Sequence, residues 1–220
     1  MSNPALKAVN CSWGDTYYPT ELCEGEAISS MADYWALLDD VSRRDAALIN
    51  SAAEKDKLLV FAAGNNGYTM PLPTVHWFVG KNTATNVITV TALEASDNIE
   101  KSAEGIRGDN IMCWFSNRAA FNEDATLAAP GEVITAANAD FAADGNPDRY
   151  DLTGTSSAAP FVTGAAALVQ QAYPYMTARQ VADVLLSTAN SHVTSKRGYT
   201  VTYQYRENDV FNIFYFDGYQ

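Results

Sequence analysis

Short apolar runs alternate with longer amphipathic stretches in the first half of the chain. The runs "LKAVNCSWG", "LLVFAAGNNG" and "NVITVTALE" predict buried strands, the first two running into loops at Ser, Gly and Asn residues. Between the first two, "ISSMADYWALLDDVSRRDAALINSAAEKD" spaces its apolar residues by three and four, which predicts one or two amphipathic helices. Strands separated by helices predict parallel pairing with helical crossovers.

The pattern changes after Ala95, where polar and turn residues become frequent up to Tyr150. This region is predicted as surface ribbon and loop, with "LAAPGEVITAA" as a rigid turn followed by a short strand. The apolar run 158–172 predicts a buried helix with Pro160 near its first turn. Gly164 and three successive alanines are expected to let this helix approach a sheet closely.

Two further elements follow near the C-terminus. "YMTARQVADVLLSTA" predicts a helix that begins at Thr177 with Gln180 three residues later, the spacing of a capping box. "GYTVTYQYRENDVFNIFYF" alternates on both sides of Glu207, Asn208 and Asp209, which predicts a β-hairpin.

Composition narrows the class of protein. A length of 220 residues suits one domain, or a domain with an appendage, and 47% hydrophobic residues can bury a sizeable core. The net charge of −12 and the absence of a long basic cluster argue against nucleic acid as a partner. No apolar run reaches the roughly 20 residues of a membrane helix, and "MSNPALKAVN" lacks the features of a signal peptide.

The three cysteines, Cys11, Cys23 and Cys113, have no metal-ligand spacing and cannot all pair within the chain. Buried thiols are the favoured interpretation, and one disulfide is the alternative.

The stretch "LTGTSSAAPFVTGAAAL" is the main candidate for chemistry. A serine hydroxyl needs a base beside it and donors aimed at the oxyanion that forms on attack. Ser156 lies at a predicted helix N-terminus, where its own amide and the helix dipole favour negative charge, and Gly154 and Ala158 leave room for a substrate carbonyl. Asn65, at the end of a neighbouring strand, is the candidate second donor.

Four motifs together resemble those of the subtilisin-like serine proteases. "GTSSAAPFVTGAAAL" resembles their serine motif and "VFAAGNNG" the segment with their oxyanion asparagine, while "AVNCSWG" resembles their substrate-binding strand and "LAAPGEVI" their Ala-Pro-Gly segment. The motifs occur in family order over roughly residues 5 to 190. "FSNRAAF" and "SWG" look most like the subtilases of bacterial autotransporters.

The resemblance implies a role for each matching residue. Ser156 would be the nucleophile, Asn65 the oxyanion donor and Ser157 a bystander. The substrate cleft and the primary specificity pocket would be lined by two segments: Ser12, Trp13 and Gly14 on one side, and Ala62, Ala63 and Gly64 on the other.

The implied fold class is α/β, a partial subtilisin-like three-layer domain with a mostly parallel sheet flanked by helices. It would lack the N-terminal strands of the family and carry a C-terminal β-hairpin. Residues 1–190 would form the C-terminal portion of the peptidase domain, and residues 191–220 a hairpin extension of the same domain.

The aspartate and histidine of the family's triad have no counterpart in the sequence. The family motifs "D-[ST]-G" and "H-G-[TS]" are absent. His76 and His192 are the only histidines, and structural roles are favoured for both over a role as the base. The expected function is therefore that of a serine endopeptidase present as a truncated catalytic domain, inactive alone. A non-catalytic pseudoprotease that binds a peptide along the "SWG" strand is the alternative.

The resemblance also bears on partners. A first strand without its family neighbours would be a sheet edge that invites pairing. Three outcomes are expected: association with an N-terminal half of the same protease, self-association through the edge, or cover by the C-terminal hairpin. Peptides or proteins are the implied substrates, and the parent protein would be secreted or at the cell surface. No cofactor is required; structural calcium is frequent in the family, but no loop here has ligand spacing that commits to it.

Overall fold

A computed structural model describes the chain at residues 7–12, 31–65, 67, 86–94, 100–102, 105–107, 110–117, 125–137, 149–189, 193–195, 200–206 and 209–214. The helices in this part of the chain are Met31–Glu54 (α1), Thr155–Ala172 (α2) and Ala178–Thr188 (α3). Its strands are Ala8–Cys11 (β1), Leu58–Ala62 (β2), Val87–Leu93 (β3), Glu100–Ser102 (β4), Gly105–Arg107 (β5), Asn110–Met112 (β6), Thr126–Pro130 (β7), Ile134–Ala137 (β8), Arg149–Leu152 (β9), Val193–Ser195 (β10), Thr200–Arg206 (β11) and Asp209–Phe214 (β12).

The main sheet is mostly parallel, as predicted. β1, β2, β3 and β7 lie side by side in that order, and all three pairings are parallel. β6 joins β3 through one antiparallel pair, Leu93 with Met112, and β10 pairs with β6 in parallel. Among the described strands, β1 is hydrogen-bonded to β2 alone and so forms one end of the sheet.

Helices cover both faces of this sheet, which gives three layers. Successive side chains of a strand point to opposite faces. Leu58, Val60 and Ala62 of β2 pack with α2 and α3 on one face. Leu59 and Phe61 pack on the other face with residues of α1. The predicted α/β architecture, with a sheet between helical layers, is confirmed.

The region from Ala95 to Tyr150, predicted as surface ribbon and loop, contains both ribbons and a strand of the main sheet. β4 with β5 and β8 with β9 are two-stranded antiparallel ribbons. β7 instead pairs with β3 over five residues of the main sheet, and its Ala129 is buried. The interpretation of "LAAPGEVITAA" as a turn and short strand was wrong for its first half, because "TLAAP" carries too weak an apolar signal to stand out as a sheet strand.

The prediction for α2 was also wrong in one respect. The helix packs on the sheet through Thr155, Ala158, Ala159, Val162 and Ala166. Its opposite face is exposed, and a Cβ added at Gly164 would meet no atom within 4 Å.

Gly164 therefore does not mediate the approach to the sheet. Of the three alanines after it, only Ala166 is buried, since one face of an α-helix takes up fewer than half of its positions.

The C-terminal elements follow their predictions. Thr177 and Gln180 form the expected capping box at the start of α3. β11 and β12 pair as an antiparallel hairpin, but they form a separate two-stranded sheet. The hairpin does not extend the main sheet at β1, so cover of that edge by strand pairing with the hairpin was a wrong expectation.

Asp56 joins three elements that are distant in sequence. Its Oδ1 accepts a hydrogen bond of 2.7 Å from the amide of Ala178, at the start of α3, and its Oδ2 lies 3.0 Å from Nζ of Lys7, before β1. The Ala178 amide, followed by the hydrogen bond and charge of Lys7, holds the pKa of the Asp56 carboxyl below its usual value. The carboxylate thus caps α3 from the turn between α1 and β2.

This lowered pKa gives a signed prediction for stability. Stability from the Asp56 charge is present above the unfolded pKa and is lost as the pH falls through the folded pKa. Asp56→Asn should lower the free energy of unfolding by roughly 0.5–1 kcal/mol at pH 7, because the partly exposed ion pair is screened. The two proteins should become equally stable once Asp56 is protonated. Urea unfolding from pH 7 to about pH 2 measures this, and a difference that does not change with pH would contradict it.

Candidate active site

Ser156 is the second residue of α2 and is exposed. The chain enters the helix through Gly154, which precedes it with φ of 148°, a conformation that L side chains rarely adopt. The Gly154 amide donates to the carbonyl of Gly131 at 2.7 Å, and the Ser157 amide donates back to the Gly154 carbonyl at 3.0 Å. These bonds fix the turn that presents Ser156.

Asn65 lies against the residue that precedes Ser156. Its Oδ1 accepts two hydrogen bonds from Thr155, one from the amide at 2.8 Å and one from Oγ1 at 2.9 Å. A backbone amide can only donate, so the atom that faces it must be the carboxamide oxygen. The Asn65 Nδ2 group therefore remains as a donor at the N-terminal end of α2, where Ser156 lies.

Thr155 is fully buried and was missing from the sequence-derived site. Besides its bonds to Asn65, its Oγ1 accepts a hydrogen bond of 3.0 Å from the amide of Gly64. One side chain thus orients the carboxamide and holds the segment that leads to it. A threonine just before the serine was visible in "GTSS", but a hydroxyl at a helix start is usually only a cap.

The segment Ala62, Ala63 and Gly64 is held on its other side by Asn117. The Asn117 side chain donates to the carbonyl of Ala63 at 2.8 Å, and its amide donates to the carbonyl of Gly64 at 2.9 Å. The Asn117 side chain is fully buried. In the sequence, Asn117 appeared only within "FSNRAAF", without a role. Here it fixes the predicted pocket wall.

Ser12 reaches the same end of α2 from the sheet. Its Oγ donates to the carbonyl oxygen of Ser156 at 2.8 Å. The structure therefore brings Ser12, Gly64, Asn65 and Ser156 together around the start of α2. Trp13 and Gly14, the other residues predicted on this side, lie outside the described residues.

The structure describes neither histidine of the sequence. His76 and His192 lie outside the described residues, as does Cys23.

Cys11 and Cys113 are buried thiols and form no disulfide, and burial raises the pKa of Cys11 to about 11. The described part of the chain holds no group of three or more His, Cys, Asp or Glu side chains suited to a metal ion, and structural calcium stays a prediction.

Groups that favour negative charge lie at the start of α2. The Asn65 Nδ2 group, the backbone amide of Ser156 and the positive end of the α2 dipole all lie at the helix start.

The sequence profile of the subtilase family matches residues 2–208 of this chain. The chain belongs to the subtilase family. The match covers the whole of β11 and ends at residue 208, so the resemblance extends beyond residue 190, where its motifs had ended.

Two bacterial relatives have names that describe an extracellular protease and an autotransporter lipoprotein. The chain is 31% identical over 160 residues to an extracellular serine protease of Serratia marcescens, which covers 63% of this chain and 14% of that protein. It is 32% identical over 141 residues to the autotransporter lipoprotein NalP of Neisseria meningitidis, covering 61% and 12%. The chain thus spans less than a sixth of the length of either relative.

The fold agrees with solved subtilisin-like structures. A cold adapted subtilisin-like serine proteinase superposes with a TM-score of 0.54 at 22% identity, covering 84% of this chain and 50% of that one. At this identity the likeness concerns the fold alone. The chain therefore has the subtilisin-like fold over about half the length of that structure.

Proposed function

We propose that this chain supplies the nucleophile and the oxyanion donors of a subtilisin-like serine endopeptidase. Ser156 Oγ attacks the carbonyl carbon of a peptide bond, and the hydroxyl proton passes to a histidine base. The oxygen that becomes negative accepts hydrogen bonds from Asn65 Nδ2 and the Ser156 amide. The base then protonates the leaving amine, and water releases the acyl group from Ser156. The orientation of Asn65, set by the two bonds from Thr155, carries the proposal.

The histidine and aspartate come, in this proposal, from outside these 220 residues, because the sequence has no match to the family motifs for either. The chain by itself is then expected to be inactive. In subtilisin, loss of the whole triad leaves only roughly 10³–10⁴ of rate enhancement over water, which supports a near-silent isolated chain.

Two separate surfaces suit contact with a segment that carries those residues. β1 has only β2 as a partner among the described strands, and its other edge can pair with a further strand. On α2, Phe161 is 48% exposed and Leu168 is 67% exposed, although both are large and apolar. We propose that the segment with the aspartate and histidine motifs covers both surfaces. Self-association through the β1 edge is the competing outcome.

A fluorophosphonate probe tests the proposal directly, with the labelled residue identified by mass spectrometry. Ser156 should be labelled in a mixture of this chain with a segment that carries the family's aspartate and histidine motifs, and not in the chain alone. Ser156→Ala is the control and should abolish labelling.

Labelling of the chain alone would instead assign the base to His76 or His192. The absence of labelling in both samples would contradict the protease function. Size-exclusion chromatography with light scattering on the same samples separates a mixed complex from a self-associated chain.

A peptide-binding role without catalysis is the second candidate. The outer edge of β1, which has no partner among the described strands, favours it, because an extended peptide can add to such an edge as a further strand. In both cases the partner is a peptide or protein. We also propose a secreted or surface location for the parent protein, which the names of the Serratia and Neisseria relatives support. No helix in the described part of the chain is long and apolar enough to cross a bilayer.

A further inference from the structure

Pro160 leaves the carbonyl oxygen of Ser156 without its helical partner. In an α-helix this oxygen would accept from the amide of the residue four positions later, and here that residue is the proline. The Ser156 oxygen accepts the hydroxyl of Ser12 instead, at 2.8 Å. The residue with the candidate nucleophile is thus tied to the end of β1.

The Ser156 carbonyl can only accept, so the Ser12 hydroxyl donates to it, and Asn10 lies on the acceptor side of that hydroxyl. The single proton of the Ser12 hydroxyl goes to Ser156, so the lone pairs of the same oxygen must accept from elsewhere. Asn10, two residues earlier on the same side of β1, donates to it from Nδ2 at 2.9 Å. The Asn10 Oδ1 lies 3.4 Å from the hydroxyl of Thr163 on α2. The hydrogen bonds therefore run in one direction, from Asn10 to Ser12 and from Ser12 to Ser156.

We propose that Asn10 is a positioning residue that acts through Ser12 to hold the backbone of Ser156. This inference rests on the proposed role of Ser156 as the nucleophile. The bond from Ser12 fixes the peptide plane that follows Ser156, and with it the direction of the serine Cα–Cβ bond. Small displacements of a reacting atom are costly to rate, so a fixed plane favours attack.

Asn10→Asp separates this role from simple packing, because the side chain keeps its shape. An ionised carboxylate can only accept, so the Ser12 hydroxyl turns toward it and the Ser156 oxygen loses its donor. A protonated carboxyl donates again and restores the original direction. The defect should therefore appear at neutral pH and disappear in acid.

The described residues place few charged groups near position 10. The described elements packed against this side of β1 are β2 and α2, and neither contains a charged side chain. Lys7 and Asp56 pair near the opposite end of the strand. Cys11 points to the other face of the sheet, toward α1. Among the described residues, a pH-dependent effect of the variant is therefore attributable to the new carboxyl.

The experiment measures the rate of fluorophosphonate labelling of Ser156 in the complex with the segment that carries the family's aspartate and histidine. The ratio of variant to wild type at each pH cancels the titration of the shared base. We expect labelling on the order of 3- to 10-fold slower above pH 6, the size of one hydrogen bond. The ratio should approach one below about pH 4. Ser187→Ala, on the exposed end of α3, should label at the wild-type rate.

Two results would overturn the positioning role alone. They are labelling of Asn10→Asp at the wild-type rate at pH 7, and a loss that is the same at every pH. If wild-type Ser156 itself is not labelled in the complex, the proposed function fails, and the positioning role fails with it. Should Asn10→Asp not fold, a cycle with Asn10→Ala and Ser12→Ala replaces it. Labelling rates must then be non-additive, and additive losses would overturn the inference.

Discussion

Replacement of Asn65 by alanine should lower kcat for peptide hydrolysis by roughly 10²- to 10³-fold. The enzyme measured is the complex of this chain with the segment that carries the family's aspartate and histidine motifs. This range is the one measured for the oxyanion donor of subtilisin, a member of the same family, and is applied here by analogy. The donor acts on charge that exists only in the transition state, so KM should stay nearly unchanged. Steady-state kinetics on a chromogenic peptide measure both constants.

Two further variants test whether the loss in Asn65→Ala comes from the missing oxyanion donor. Thr155→Val removes the hydroxyl that donates to Oδ1 but keeps the amide, so a smaller loss of kcat is expected. Asn50→Ala, at an exposed position of α1 on the other side of the sheet, should behave as wild type. A loss in Asn65→Ala that falls on KM alone would contradict the oxyanion role.

Gly131→Ala should lower the free energy of unfolding by about 3 kcal/mol, because the added methyl group would collide with its neighbours and overpack the site. A Cβ there would lie 2.6 Å from Cβ of Ala92 and 2.9 Å from the carbonyl oxygen of Gly154. Gly131 also accepts the Gly154 amide and donates its own amide to Leu93. The methyl group would therefore displace the turn that enters α2, and labelling of Ser156 should fall as well.

Gly164→Ala is the matched control for this substitution. Both changes add one methyl group to a glycine, but the Cβ at position 164 enters open space on an exposed helix face. Alanine is the better helix former by roughly 0.8–1 kcal/mol, so this variant should be more stable than wild type. Urea unfolding of both variants measures the difference. Equal effects would show that the contacts around Gly131 do not determine its requirement for glycine.

Strong local signals in the sequence predicted the elements that form the core of the fold. The apolar runs of β2 and β3 and the capping box at Thr177 were sufficient because each depends on neighbouring residues. β7 was missed because "TLAAP" becomes a sheet strand only through its pairing with β3. The prediction that Gly164 faces the sheet was wrong, because an alanine-rich run does not reveal which face of the helix meets the sheet.

The same distinction applies to the candidate site. Ser156 and Asn65 became candidates because each lies in a recognisable motif. Thr155 and Asn117 were not, because their roles depend on hydrogen bonds between segments far apart in the chain. The link from Asn10 to Ser156 likewise joins β1 to α2 across 146 positions and depends on a missing amide at Pro160. Such contacts carry no local signal.

Thr155 is proposed to turn the Asn65 amide group toward the oxygen that becomes negative when Ser156 Oγ attacks the peptide carbonyl. A crystal structure of the phosphonylated complex tests it most directly. The phosphorus should be bonded to Ser156 Oγ, with a phosphonyl oxygen about 2.7–3.1 Å from Asn65 Nδ2. A phosphonyl group on another residue, or an Asn65 carboxamide rotated away from that oxygen, would contradict the account.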